Sequence, residues 1–471
     1  MATIIPFKGL RYNQKIVRDL ADVVTPPYDV IDAAAQDRYY SRHPFNIIRL
    51  EYGKTFAGDG EDENRYTRAA ADYGSWRRDN VLAPEDGHAL YLYEQEYTTG
   101  GERKVRSGFI CGVKIEPYEK GVVLPHEETM PKHKADRLEL MRACRANFSP
   151  IFSLYADPEL AVTGALREAA GKRTPDAAFT DENGDEHRLW VVRDAGAIGK
   201  VQRLMEDQRI FIADGHHRYE TALNYKLERD ADCDSTAGGE VAASSSCACA
   251  PGGSVTCSRT SEPAHHYVMM TLVNLYDPGL IILPTHRLLK NVDKANLTAL
   301  PERLGEFFSL EAFPLTPDRG NFKEFLTEMA SRGAANSPGL THPHIFGIYL
   351  GDSRLYLAAL KDEMHLEKML PIEKSPAWRG LDVSVLHTLI IEKYLGIGGE
   401  LRARGDHITY SREEEGALAA VDRGDYQLAI FMNPTLVEEV TAVAGNGEKM
   451  PQKSTYFYPK LITGLVVNSL D

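Results

Sequence analysis

The chain has 471 residues, 43% of them hydrophobic and 26% charged, which is the composition of a folded protein with room for about two to four domains. It carries 54 basic and 68 acidic residues, a formal net charge of −14, which argues against nucleic-acid binding. No apolar run reaches the ~18 residues that span a bilayer, the first residues lack the regions of a secretion signal, and six cysteines make no disulfide framework. We therefore expect a cytoplasmic protein with no membrane or nucleic-acid partner, and the composition leaves the oligomeric state open.

The first half of the chain alternates predicted helices and strands. A helix is expected at 63–80, followed by strands at 89–94 and 105–115 that a glycine turn pairs. The elements expected next are a helix at 138–146, strands at 151–155 and 189–192, a helix ending near 205 and a strand at 210–213. This alternation predicts a layered α/β (α+β) fold.

Residues 232–264 interrupt the alternation. They are small, polar and glycine-rich, which predicts a flexible surface insertion. Four cysteines lie in this stretch, but their spacing matches no standard zinc pattern, and His265-His266 strengthens the case for a metal only weakly.

A second α/β region is predicted after the insertion. Strands are expected at 267–273, 280–283, 345–350, 355–360 and 428–432, with helices at 384–394 and 413–422. We expect three parts: an N-terminal elaboration (1–120), a catalytic core with the insertion (121–300) and a C-terminal α/β domain (301–471).

The strand at 210–213 ends at Asp214-Gly215-His216-His217-Arg218, where a helix is expected to begin. A helix start presents backbone N–H groups and the positive end of the helix dipole, which suits phosphate binding. In this interpretation Gly215 lets the backbone approach the anion, the amides of His216 and His217 hold phosphate oxygens, and Arg218 clamps them. Asp214 is a candidate Mg²⁺ ligand, since hard cations take oxygen ligands.

This strand–DGHHR–helix segment resembles the signature of the ParB/sulfiredoxin-like fold, in particular the branch that contains the nucleotide-dependent free serine kinases. Two other segments resemble parts of such a kinase in the same chain order: Pro125-His126-Glu127, and Met450-Pro-Gln-Lys453-Ser454-Thr455. The whole chain, with Thr25-Pro-Pro-Tyr28-Asp29 near its start, resembles a large bacterial and archaeal family built around that kinase core.

The resemblance implies roles for these residues. Glu127 would activate the serine hydroxyl, and Lys453, Ser454 and Thr455 would bind the substrate. The pattern does not distinguish the two histidines; we assign a catalytic role, with Asp214, to His217 and phosphate binding to His216. The implied activity is transfer of a phosphoryl group between ADP or ATP, with Mg²⁺, and the hydroxyl of free L-serine or O-phosphoserine.

Three alternatives stand beside this kinase-like hypothesis. One is a phosphatase that releases serine from O-phosphoserine. Another is a ParB-like protein that binds nucleotide or DNA, which the net charge of −14 disfavours. The third is the sulfiredoxin branch, whose motif has a cysteine where this chain has His216, so the thiol nucleophile is missing.

Overall fold

The structure is a computed structural model that describes residues 1–127, 131–237, 262–334, 343–361 and 369–471. The described strands are β1 Ile4–Ile5, β2 Leu10–Tyr12, β3 Leu82–Pro84, β4 Leu90–Thr99, β5 Glu102–Lys114, β6 Val123–Leu124, β7 Ala146–Asn147, β8 Ile151–Tyr155, β9 Ala177–Thr180, β10 Glu186–Val192, β11 Ile210–Asp214, β12 Tyr267–Asn274, β13 Ile281–Ile282, β14 His286–Leu289, β15 Phe308–Pro314, β16 Ile345–Tyr349, β17 Arg354–Leu360, β18 Ile408–Ser411, β19 Leu428–Met432, β20 Phe457–Tyr458 and β21 Asn468–Ser469.

The described helices are α1 Ala33–Arg42, α2 Ile48–Glu51, α3 Arg65–Arg78, α4 Pro131–Cys144, α5 Ala161–Ala170, α6 Ala195–Glu206, α7 His216–Ala237, α8 Lys294–Leu304, α9 Phe322–Ala334, α10 Pro376–Arg379, α11 Asp382–Val385, α12 Gly399–Arg404, α13 Glu414–Asp422 and α14 Val437–Gly445. A π-helix, Leu386–Tyr394, continues α11, and short 3-10 helices lie at Leu20–Asp22, Tyr28–Val30, Tyr118–Lys120 and Ala264–His266. Within the ranges described, no helix has both the length and the apolar character that crossing a bilayer requires.

The chain forms two compact mixed α/β units, which confirms the predicted fold class. Unit 1 comprises Met1–Leu124, Thr129–Leu280 and Pro459–Asp471, and unit 2 comprises Pro125–Glu128 and Ile281–Tyr458. This division differs from the predicted three parts. The N-terminal strands β4 and β5 share a sheet with β12, and β21, near the end of the chain, pairs with β7.

Unit 1 is built on a mixed sheet with the strand order β6-β11-β8-β12-β5-β4-β10-β9, to which β1 adds by pairing with β5. β11 runs parallel to β6 and antiparallel to β8, while β8 runs parallel to β12. Its apolar core includes Ile212 on β11 and Tyr219 on α7, both without exposed surface. The strand that carries the Asp214 motif is therefore a buried interior strand, rigidly held on both sides.

Unit 2 is built on an antiparallel sheet with the order β15-β17-β16-β19-β14-β18. Along β19, Leu428 and Ile430 face one apolar cluster, while Ala429 and Phe431 face another that contains residues of α9 and α13. Because side chains alternate between the faces of a strand, a sheet buried on both faces needs a continuous apolar run. The Leu-Ala-Ile-Phe-Met sequence of β19 meets this requirement.

Helix α7 extends beyond the predicted start of the insertion at residue 232, since it continues to Ala237. The first residues of the predicted insertion are therefore helical. The rest of that prediction falls mainly on residues 238–261, which lie outside the described residues.

Gly279 offers a test of packing in unit 1. A Cβ at this position would lie 2.2 Å from the backbone oxygen of Val105. A backbone atom cannot move away as the end of a flexible side chain can. We expect Gly279→Ala to lower the free energy of unfolding by about 1–3 kcal/mol, as overpacking does. Urea denaturation measures this. Gly87→Ala is the control, because nothing lies within 4 Å of its added Cβ; equal losses in both variants would contradict the prediction.

Candidate functional site

The turn after β11 has the local geometry that its sequence predicts. The pairing of β11 with β8 shifts register between Ile212 and Asp214, which marks a bulge just before the strand ends. Gly215 follows with a φ of +97°, a region that favours glycine. α7 begins at His216, and its first helical hydrogen bond runs from the amide of Tyr219 to the carbonyl of Gly215 (3.1 Å). The amides of the first helical turn consequently lie directly after the glycine.

The Asp214 carboxylate binds two cations. Its Oδ1 accepts a hydrogen bond from Lys460 Nζ (2.7 Å), and its Oδ2 accepts one from the Arg218 guanidinium (3.0 Å). Lys460 is held by its own backbone carbonyl, which accepts a hydrogen bond from the Gln95 side chain (3.0 Å). Arg218 also donates to the carbonyl oxygen of Pro150 (2.7 Å). We call Asp214, Lys460 and Arg218 the Asp214 triad.

The Asp214 triad has an excess of positive charge. Burial alone would raise the pKa of Asp214, but the charges of Lys460 and Arg218 outweigh burial and hold that pKa well below its ordinary value of 3.8. The carboxylate is therefore ionised at neutral pH, and two cations against one anion leave one net positive charge. The start of α7 adds the positive end of its dipole, so this corner of unit 1 favours an anion.

Gly215 has a different steric role from the one predicted. A Cβ at this position would lie 2.9 Å from both Nε and a terminal nitrogen of Arg218. The space left by the missing side chain is therefore filled by the guanidinium of the same turn. Glycine is required here for its positive φ and for the position of Arg218.

A second layer of buried polar residues, which was not predicted, surrounds Arg218. Glu51 is 4% exposed and Arg137 is 5% exposed, and they form an ion pair at 3.4 Å. The guanidinium of Arg137 also lies 4.2 Å from the centre of the Tyr28 ring. Glu51, Arg137 and Arg218 all line a cavity of about 40 Å³. Burial raises the pKa of Tyr28 to about 12, against the opposing charges of Arg137 and Arg218.

The other predicted site residues lie in unit 2. Glu127 Oε1 accepts a hydrogen bond from the backbone amide of Lys453 (3.2 Å). Glu127 also forms a parallel bridge with Met450, next to a bond from the Met450 amide to the carbonyl of His126 (2.7 Å). Two segments more than 300 residues apart are thereby joined. We call Glu127, Lys453, Ser454 and Thr455, together with His126, the Glu127 cluster.

The Lys453–Thr455 segment is held in an unusual conformation. Lys453 has a φ of +57°, which is uncommon for a residue with a side chain, and its own side chain is exposed. Its carbonyl accepts a hydrogen bond from the buried Arg287 (3.0 Å).

The two hydroxyl side chains that follow Lys453 differ in their partners. Thr455 Oγ1 is 2.8 Å from Nε2 of the buried His126, and Ser454 donates its hydroxyl proton to the carbonyl of Pro451. The threonine and the lysine are thus presented by a structured turn, whereas Ser454 is turned towards its own backbone.

The predicted residues thus fall into two groups, one in each unit. Asp214 through Arg218 lie in unit 1, and Glu127 with Lys453–Thr455 lies in unit 2. Sequence reasoning missed Glu51 and Arg137. The one sequence signal for Glu51 is its place directly after Ile47-Ile48-Arg49-Leu50, in which three of the four residues are apolar.

A Mg²⁺ ion on Asp214 does not fit this arrangement. Each of the two carboxylate oxygens already faces a cation, so Lys460 and Arg218 would repel a divalent cation placed there. Mg²⁺ is usually held by one or two carboxylates together with substrate phosphates. Asp214 therefore serves here to hold two cations of the protein.

A family model described as "Protein of unknown function (DUF1015)" matches residues 4–384. The chain belongs to this family. The match includes Glu127 and the turn at Asp214–Arg218, but it ends before Lys453. Among curated proteins, none matches the chain in sequence.

Several solved structures are remotely similar to this DUF1015 member. A conserved hypothetical protein from Pyrococcus furiosus has 12% identity and a TM-score of 0.32, with 78% of this chain and 97% of that chain covered. A free serine kinase in complex with AMP has 14% identity and a TM-score of 0.32, with 77% and 93% covered. SbnI with a C-terminal truncation, from Staphylococcus aureus, has 12% identity and a TM-score of 0.32, with 76% and 87% covered. Likenesses at this level assign no activity to this chain.

The Asp214 triad predicts a specific dependence of stability on pH. Removing the carboxylate leaves two mostly buried cations without their partner, so we expect Asp214→Asn to cost about 3–5 kcal/mol of unfolding free energy at pH 7. Since the folded-state pKa is depressed, the stabilisation is complete above the unfolded value near 3.8 and is lost as the pH falls below it towards the folded pKa.

Urea denaturation of wild type and Asp214→Asn from pH 7 to pH 3 measures this. The difference between them should stay constant down to about pH 4 and shrink below it. Asp176→Asn is the matched control, since the ion pair of this partly buried carboxylate of unit 1 is weak, 3.9 Å from Arg173, and an asparagine oxygen can still accept the hydrogen bond from the Val191 amide (2.8 Å). A difference that grows on acidification would contradict the assignment.

Proposed function

We propose that this protein is a phosphotransferase that moves a phosphoryl group between a nucleotide, ADP or ATP, and the hydroxyl of a small hydroxy amino acid, with free L-serine as the leading candidate. The observation that carries the proposal is the Asp214 triad at the start of α7. It combines a net positive charge with the positive end of a helix dipole, and both favour phosphate. Serine as the acceptor rests on the resemblance of the three motifs to free serine kinases.

In unit 1, the phosphate end of the nucleotide binds at the turn. The amides of His216 and His217 donate to its oxygens, and the ammonium group of Lys460 neutralises its charge. Asp214 acts as a positioning residue because it holds Lys460 and Arg218 in place. His217, which is less buried than His216, remains the candidate for steering the transferring group or carrying a proton.

In unit 2, Glu127 supplies the base. Its Oε1 is fixed by the amide of Lys453, and a carboxylate suits the deprotonation of an alcohol that attacks phosphorus. The exposed ammonium group of Lys453 is available to the carboxylate of an amino acid, and the hydroxyl of Thr455 is oriented by His126.

In the proposed reaction the acceptor hydroxyl oxygen attacks the terminal phosphorus of the nucleotide. Glu127 takes the hydroxyl proton, a new P–O bond forms, and the bond from phosphorus to the bridging oxygen breaks. The shortened nucleotide leaves with the bridging oxygen. Positioning and charge neutralisation account for most of the catalysis expected of such a site. Mg²⁺ coordinated by the phosphates of the nucleotide would neutralise part of their charge.

The direct test incubates the pure protein with L-serine, Mg²⁺ and either ATP or ADP, and follows O-phosphoserine by ³¹P NMR. Phosphoserine that forms only with both serine and nucleotide supports the proposal. Phosphate released from O-phosphoserine without nucleotide would instead assign a phosphatase. Retention on DNA at physiological salt, without turnover, would indicate a nucleic-acid-binding protein.

Replacement of the proposed base separates chemistry from binding. We expect Glu127→Gln to lower the turnover number by about 100-fold or more, the usual contribution of a positioned base, with nucleotide affinity nearly unchanged. Glu128→Gln is the control because it removes the neighbouring carboxylate. If Glu128→Gln loses turnover and Glu127→Gln keeps it, the assignment of the base is wrong.

Replacement of Lys460 tests the phosphate site. Loss of a charge-assisted hydrogen bond costs about 1.5–3 kcal/mol, so we expect Lys460→Met to weaken ADP or ATP binding about 10- to 100-fold. Isothermal titration calorimetry at a temperature where circular dichroism shows both proteins folded measures this effect. Lys172→Met, at an exposed position in unit 1, serves as the control; equal affinity in wild type and Lys460→Met would remove the lysine from the site.

A further inference from the structure

Three metal-ligating side chains of unit 1 meet away from the candidate site. Nε2 of His266 is 2.8 Å from Oδ1 of Asp230, and Nε2 of His265 is 3.1 Å from the same oxygen. One ligand atom from each of the three residues lies within 4.8 Å of the other two. Within the described ranges, this is the one group of three or more His, Cys, Asp or Glu side chains that meets that criterion.

Two elements bring these residues together. Asp230 lies in the C-terminal half of α7, whereas His265 and His266 form the short 3-10 helix that precedes β12. The histidine segment is anchored to the sheet, because the carbonyl of His266 accepts a hydrogen bond from the amide of Ile115 (2.9 Å). The proposed ligands therefore come from a long helix and from the 3-10 helix directly before β12, and both elements belong to unit 1.

We propose that Asp230, His265 and His266 bind a divalent first-row transition metal ion such as Zn²⁺. Two imidazole nitrogens and one carboxylate oxygen form a donor set that suits such ions and does not suit Mg²⁺ or Ca²⁺. At bond lengths of about 2.0–2.1 Å, the ligand atoms of a tetrahedral site lie about 3.3 Å apart. The observed separations of 2.8 and 3.1 Å are close to this value, so a small outward movement of the side chains admits the ion.

Asp230 also has a hydrogen-bond partner outside the three proposed ligands, as metal ligands usually do. Its other oxygen, Oδ2, accepts a hydrogen bond from Lys226 Nζ (2.8 Å), one turn earlier on α7. This contact directs Oδ1 towards the imidazoles and would remain when a metal is bound. The side chains of His265, His266 and Asp230 are 11%, 20% and 35% exposed, so solvent can supply the remaining ligands.

The position of the site indicates a structural role. Asp230 and the histidines flank residues 231–264 of the chain, which include the four cysteines of the predicted insertion. A metal bound there links the two flanks and fixes the C-terminal half of α7 on the sheet. Because a metal that binds only the folded protein stabilises it, this link raises the melting temperature.

The test uses the full-length protein, stripped with EDTA, dialysed, and then titrated with Zn²⁺ and separately with Co²⁺. We expect about one ion bound per chain by elemental analysis, a higher melting temperature with Zn²⁺, and a visible absorption band with Co²⁺. Mg²⁺ should give none of these effects. If stripped wild-type protein binds no stoichiometric Zn²⁺ or Co²⁺, the three residues form only a hydrogen-bonded group and the proposal is wrong.

Matched variants identify the ligands. We expect Asp230→Asn and His266→Gln to weaken Zn²⁺ binding at least about 100-fold. Loss of a residue that only contacts a metal ligand already weakens binding by up to about 100-fold, and loss of a ligand itself costs at least as much. Asp232→Asn, which removes the same charge from the same helix, should bind like wild type. Replacing the four cysteines by serine should also leave Zn²⁺ binding intact; loss of the ion in that variant, with retention in Asp230→Asn, would place the ligands on the cysteines and overturn the proposal.

Discussion

The ion pairs of Asp214 are the interaction on which the candidate site depends. One carboxylate at the end of a buried strand holds Arg218, four residues ahead, and Lys460, which is 246 positions away. The contact with Arg218 lies within the turn itself, and the contact with Lys460 attaches the last residues of the chain to that turn. Without the carboxylate, two positive charges in a mostly buried position would repel each other. With it, they leave one net positive charge beside the start of a helix, where an anion is favoured.

The two groups of candidate residues owe their shapes to different physical causes. The Asp214 triad is set by regular structure, since a buried strand, a glycine with positive φ and a helix start follow one another directly. The Glu127 cluster is set by pairings between distant segments. There, an uncommon backbone conformation at Lys453 is stabilised by Glu127 on its amide and Arg287 on its carbonyl. A strained residue held from both sides by buried or paired groups is a common feature of binding sites.

Helix α7 connects the two sites inferred in unit 1. Its first turn follows Gly215, and its C-terminal half carries Asp230. A metal ion on Asp230, His265 and His266 would hold the C-terminal half of this helix on the sheet, while the Asp214 triad holds its first turn. The position of the phosphate-binding amides would then depend on a helix fixed at two points, which reduces the conformational freedom lost when a ligand binds.

Local sequence was sufficient for much of this protein. The alternation of strands and helices, the helix start after Gly215 and the buried strand at 428–432 each follow from periodicity or from the conformational preference of a residue, and these depend only on neighbours in the chain. Tertiary structure alone decided which distant groups meet: Lys460 on Asp214, Glu51 on Arg137, and Asp230 on His265 and His266. It also decided that Asp214 faces two cations, which disfavours a Mg²⁺ ion on that carboxylate, and that the last residues of the chain belong to unit 1. Such contacts arise when whole helices and strands pack together. Residue periodicity reflects only neighbours in the chain, so it cannot predict which distant residues meet.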